Sequence, residues 1–110
     1  MSSKLLNLTP HEIRFVRPEG EDLVLPPSGA VARVSVTRRM CEETRLGIPV
    51  FSTQAGGVQG LPAPHSDEAY IVSRAVAEAA RGRPDIFFPD DLVRDDQGRV
   101  IGARALGRLA

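Results

Sequence analysis

A single cysteine, Cys41, among 110 residues rules out an internal disulfide, and no CxxC pair is present from which a zinc cluster could be built. That cysteine usage points to a reducing cytoplasm. Long hydrophobic runs are missing too: nothing approaches the roughly 18 consecutive apolar residues a membrane helix requires. The opening residues 1–8 hold only a scrap of apolar sequence around Asn7 and before Pro10, so they do not read as a signal peptide. Neither charge sign dominates, since 14 basic and 14 acidic side chains cancel. Broad electrostatic binding to duplex nucleic acid or to an anionic membrane is therefore not expected. Lysine is nearly absent, with Lys4 standing against thirteen arginines. Guanidinium grips phosphate or carboxylate through two parallel hydrogen bonds, which ammonium cannot do. A GC-rich genome, whose codons favour Arg and Ala, produces the same excess.

What is present is an ordinary globular composition, 42% hydrophobic and 25% charged, in a chain the size of one domain spanning residues 1–110. Extended segments fill the first half. Residues 4–8 form a short apolar run, residues 12–16 alternate with Ile13 and Phe15 on one face, and residues 23–25 make a third short strand. Ala32, Val34 and Val36 share one face of a fourth, with Arg33 and Ser35 on the other. Residues 38–47 fit either a solvated helical turn or a charged edge strand. Residues 48–53 read as a strand that Pro49 confines to an edge or a bulge. The glycine- and proline-rich stretch 54–65 reads as an ordered connecting loop.

Further along, Tyr70-Ile-Val is strand-like, and Ser73 is placed to cap a helix over 74–81 that Gly82 ends. Ile86-Phe-Phe88 is a buried anchor. Residues 92–101 predict a β-hairpin with Gly98 at the left-handed position. The fold class that follows is α+β: mainly short antiparallel strands with one short helix and a C-terminal β-hairpin.

No catalytic constellation stands out. Cys41, His11 and His65 supply reactive residue types without a base-and-orienter motif, and Cys41 is expected to be dispensable. The two histidines have no ligand spacing that recommends a metal, and no cofactor is expected. The carboxylate pairs Glu42-Glu43, Asp90-Asp91 and Asp95-Asp96 point their neighbours to opposite faces of a strand, which does not make a shared-proton dyad. Gly57 lies in a glycine-rich stretch whose backbone amides could approach an anion, although no nucleotide fingerprint accompanies it. In the hairpin, a four-residue loop would set Arg94 opposite Arg99 as a phosphate clamp. A bulge at Gly98, the commoner arrangement for this turn chemistry, would pair Arg99 with Asp95 instead and part the arginines.

Five blocks carry a resemblance: Asn7-Leu-Thr-Pro-His-Glu-Ile13, Pro27-Ser-Gly-Ala-Val-Ala-Arg33, Gly60-Leu-Pro-Ala-Pro64, Tyr70-Ile-Val-Ser73 and Val93-Arg-Asp-Asp-Gln-Gly-Arg-Val-Ile-Gly102. In this order they resemble small phage and prophage proteins, a set that includes the first type of Thoeris anti-defence protein. The 38–47 segment departs from that pattern. The resemblance implies a non-enzymatic viral sponge that sequesters cyclic ADP-ribose signals, with some members also holding cyclic oligonucleotides, as homo-oligomers built from dimers. It carries over no ligand contacts. Chosen within or beside the matching blocks by their chemistry, Arg94 and Arg99 are candidates for phosphate, with Arg104 a weaker third. Tyr70 and Phe51 are candidate shelves for a base or ribose, and Ser73 and Gly57 candidate hydrogen-bonding groups. Phe87 and Phe88 are better read as core. A structural or partner-binding phage module is the competing reading, with a cyclic-nucleotide hydrolase third.

Overall fold

The computed structural model describes residues 4–109. Its elements in chain order are β1 (Lys4–Asn7), β2 (Ile13–Phe15), β3 (Leu23–Leu25), β4 (Arg33–Arg45), β5 (Ile48–Gln59), β6 (Glu68–Ile71), α1 (Arg74–Ala79), β7 (Ile86–Arg94) and β8 (Val100–Gly107). Six strands form a mixed sheet in the order β1-β6-β7-β8-β2-β3, and β4 with β5 forms a separate two-stranded ribbon. The fold is thus predominantly β, with one short helix and the expected C-terminal hairpin.

Two expectations about the strands need correction. Three of the six pairings are parallel: β1 with β6, β6 with β7, and β2 with β8. The β6–β7 pair is joined by a crossover that contains α1, the kind of connection parallel neighbours need. Strand shortness also fails for the ribbon, where β4 has 13 residues and β5 has 12. Residues 38–45 settle as strand rather than helical turn. The expected 54–65 loop is strand as far as Gln59, because glycine at a bulge does not end a strand. A Cβ on Gly56 would strike the Ser35 side chain, beside the register shift between Val34 and Val36.

The core follows from strand alternation. β6 lies between β1 and β7 with Tyr70 and Ile71 buried on opposite faces, so consecutive residues enter different clusters. Tyr70 and Val72 join Leu8, Ala32, Ile86, Phe88 and the helix residues Val76 and Ala77. Ile71 faces the other way, towards Phe15 and Ala103. A helix of six residues has no independent stability, and α1 persists because Val76 and Ala77 pack against the sheet while Ser73 caps it. The ribbon joins this core only at its base, through Val34 and Val58.

The C-terminal hairpin adopts the bulged arrangement. Gly98 has φ +80°, its N–H donates to the Asp95 carbonyl at 3.0 Å, and the Asp95 N–H donates to the Arg99 carbonyl at 2.8 Å. Arg99 therefore lies opposite Asp95, and Arg94 pairs with Val100. Among the described residues no helix is long and apolar enough to cross a membrane.

Candidate functional site

Asn7, buried at the end of β1, organises the turn that follows it. Its Nδ2 donates to the His11 carbonyl at 2.7 Å and to the Leu25 carbonyl at 3.1 Å. Its Oδ1 accepts from the Thr9 N–H at 3.0 Å and the Thr9 hydroxyl at 2.6 Å. A polar side chain that is 2% exposed thus has all its hydrogen bonds made, which is the condition for its burial to be tolerated. The 27–33 segment is laced to the same stretch: Ser28 N–H donates to the Asn7 carbonyl, and Ala32 N–H to the Leu8 carbonyl. Gly60 sits at φ +82°, where a Cβ would strike the Val31 carbonyl, so a third segment closes in only because that residue is glycine.

Between these segments and the start of α1 lies a cleft of about 270 Å³, whose walls include Thr9, Pro10, Arg33, Val34, Ser73 and Val76. Its apolar part is formed by proline and aliphatic side chains, and among the described residues no carboxylate lines it. Arg33 is exposed and has no ion-pair partner among the described residues. The Ser73 Oγ accepts from the Val76 N–H at 3.3 Å, which leaves its own proton free to donate. A cation, hydroxyls and an apolar wall without opposing negative charge suit a phosphorylated, partly apolar ligand.

Of the residues singled out in the sequence, Ser73 alone lies in this cleft. Tyr70 is fully buried, and its hydroxyl donates to Glu68 Oε2 at 2.7 Å, so the ring belongs to the core and offers a ligand no face. That hydrogen bond, then burial, pushes the phenol pKa up from its ordinary value. Arg94 and Arg99 do not converge. Arg94 donates to the Gly98 carbonyl at 2.9 Å, while Arg99 reaches Asp95 Oδ2 at 3.2 Å and Gln97 Oε1 at 2.7 Å. The Asp95 carboxylate that Arg99 reaches is held below the usual range, chiefly by the Arg99 and Gln97 backbone N–H groups. Arg104 lies 3.9 Å from Asp91, on a different groove that also contains Phe15 and Arg17. Phe51 stands on the ribbon with the Arg38 guanidinium 3.8 Å above its ring, and Gly57 is a β5 residue. Phe88 is core as expected, and Phe87 is partly covered by Arg108 at 4.8 Å.

Arg33, Thr9 and Pro10 went unselected in the sequence, although each lies inside one of the resembling blocks. The signal that could have found them is that residues 7–13, 27–33 and 70–73 carry unusual polar and proline positions next to buried ones. The hydrogen bonds that bring those blocks together are long-range and have no local pattern. Among the described residues no group of three or more His, Cys, Asp or Glu side chains could hold a metal ion. Compared with protein-family models, curated proteins and solved structures, the chain has no match.

Proposed function

We propose that the protein is a non-enzymatic, cytoplasmic sponge of viral type that binds and sequesters cyclic nucleotide immune signals, cyclic ADP-ribose isomers first and cyclic oligonucleotides second. The observation that carries the reading is convergence. Residues from the 7–13, 27–33 and 70–73 blocks line one cleft, and Gly60 of a fourth block packs against its wall. In this reading Arg33 grips phosphate, Thr9 and Ser73 meet ribose hydroxyls, and Pro10, Val34 and Val76 face the base. Sequestration needs tight binding and no bond-breaking step, so it asks for no general base or nucleophile. As in the proteins it resembles, the sponge works as a homo-oligomer built from dimers.

Calorimetry against cyclic ADP-ribose isomers and cyclic di- and trinucleotides tests the reading. A charge-assisted hydrogen bond contributes about 1.5–3 kcal/mol, so Arg33→Ala should weaken binding about ten- to a hundredfold. Arg33→Lys should recover only part of it, because a point charge does not reproduce the fork. If Arg94→Ala or Arg99→Ala abolishes binding while Arg33→Ala does not, the ligand sits on the hairpin and the cleft is the wrong site.

A further inference from the structure

Among the described residues, the ribbon beyond its base pairs with no other strand. Beyond Val36 and Ala55, β4 and β5 pair with each other alone, over about 30 Å at the usual rise per residue. The radius of gyration is 17.0 Å, against about 13 Å for a compact chain of this size. An isolated two-stranded hairpin in water is marginally stable. Yet this one exposes Val36, Met40, Leu46, Ile48 and Phe51, which are five of the ten exposed large hydrophobic side chains among the described residues. At its tip Leu46 is wholly exposed and adopts φ +52°, a left-handed conformation that favours Asn or Gly. Exposure and backbone strain therefore fall on the same leucine.

Three more of the ten, Leu92, Val100 and Ile101, lie together elsewhere. With Ile13 and Pro89 they line a groove of about 330 Å³ between β2 and the β7–β8 hairpin. Charge matches across the two surfaces. Among the described residues, Arg38, which shares the Met40–Phe51 face and lies 3.8 Å above the Phe51 ring, has no carboxylate within ion-pair distance, and no cation pairs with Glu12 in the groove wall, where Arg14 is already paired with Asp22. One surface is an apolar rib carrying a cation without an ion pair, and the other is an apolar groove carrying an anion without one.

We propose that the ribbon of one copy seats in the β2/β7–β8 groove of a second copy of this chain. The Met40–Phe51 face covers Ile13, Leu92 and Ile101, and Arg38, on that same face, meets Glu12. Met40 and Phe51 are directly paired across the ribbon and so share that face. The inference rests on these two surfaces and not on the identity of any ligand; it shares the homo-oligomer with the sponge reading, and ligand binding, measured separately, tells the two apart.

Light scattering at micromolar concentration, with no nucleotide added, provides the first test. The unaltered protein should be larger than a monomer, and Phe51→Glu and Ile101→Glu should each raise the dissociation constant at least tenfold. Both positions are exposed, and circular dichroism checks that the variants keep their fold. The pairing itself is read by cross-linking in a Cys41→Ser background. Copies carrying Thr53→Cys are mixed with copies carrying Val100→Cys and treated with a short bismaleimide. Cross-links between unlike copies support the proposal. Monomer throughout, assembly unaffected by Ile101→Glu, or cross-links confined to Thr53→Cys with Thr53→Cys would each overturn it.

Discussion

Asn7 is the buried polar group on which the 7–11 turn depends, and its energetic weight follows from what its loss would leave behind. Asn7→Ala removes the side-chain donor to the Leu25 carbonyl and the acceptor of the Thr9 N–H, and leaves the His11 carbonyl to the Thr9 hydroxyl alone at 3.1 Å. Each unsatisfied group costs about 1–3 kcal/mol where water cannot reach it. Some of them regain water, so the expected loss is about 3 kcal/mol in a urea titration with an unchanged slope. Leu46 gives the opposite sign. Its φ of +52° costs an ordinary residue about 1–2 kcal/mol, so Leu46→Asn should raise the stability of the dissociated chain by about 1 kcal/mol. A loss of stability there would mean that the turn draws on the leucine side chain within its own copy. Of these two residues, neither role was legible in the sequence. Asn7 sits in a segment whose local pattern says only strand then turn, and its acceptor at Leu25 lies eighteen positions away. Leu46 precedes glycine in a stretch that fitted helix and strand equally, because its alternating charges carry no hydrophobic period.

At the scale of elements, the legible parts were those with local chemistry. Ser73 before an alanine-rich run, Gly82 after it, and Asp95-Asp-Gln-Gly98 between two apolar runs each announce a cap or a turn whatever the tertiary context. The parallel pairings and the reach of β5 through Gly56 and Gly57 were not legible, since they are decided by strands distant in sequence and by a bulge that glycine permits. The link from α1 to β7 is held by Arg83, whose guanidinium forks onto Asp85 at 3.1 and 2.7 Å. That fork lowers the Asp85 pKa, against a smaller opposing effect of burial. A depressed carboxylate contributes stability above its unfolded pKa and loses it as pH falls through the folded value. Stability should therefore decline as pH drops below about 4, and Asp85→Asn should flatten that decline while lowering stability at neutral pH. Thermal melts from about pH 2.5 to about pH 7, spanning the ordinary aspartate range, check both effects. A variant with the same acid slope as the unaltered protein would remove Asp85 from the account.

For the whole molecule, the structure distributes the residues named from the sequence over several separate places. Arginine in excess, hydroxyls and a short helix are all there, but the arginines chosen on the hairpin are held by their own loop, and Tyr70 is core. Local spacing cannot show that Thr9, Arg33 and Ser73, which are 64 residues apart from first to last, line one cleft. The proposed ligand chemistry and the proposed assembly use different surfaces, so a variant such as Ile101→Glu should lose assembly before it loses the cleft.

The most direct test of the central claim is ligand recovery. The protein is incubated with cyclic ADP-ribose isomers and with cyclic di- and trinucleotides, separated from free ligand, heat-denatured, and the released material is analysed by mass spectrometry. The sponge account predicts that one of these cyclic nucleotides is retained by the unaltered protein, released intact and unaltered in mass, and retained about ten- to a hundredfold less tightly by Arg33→Ala. A linearised or hydrolysed product, or no retention of any of them, would contradict it.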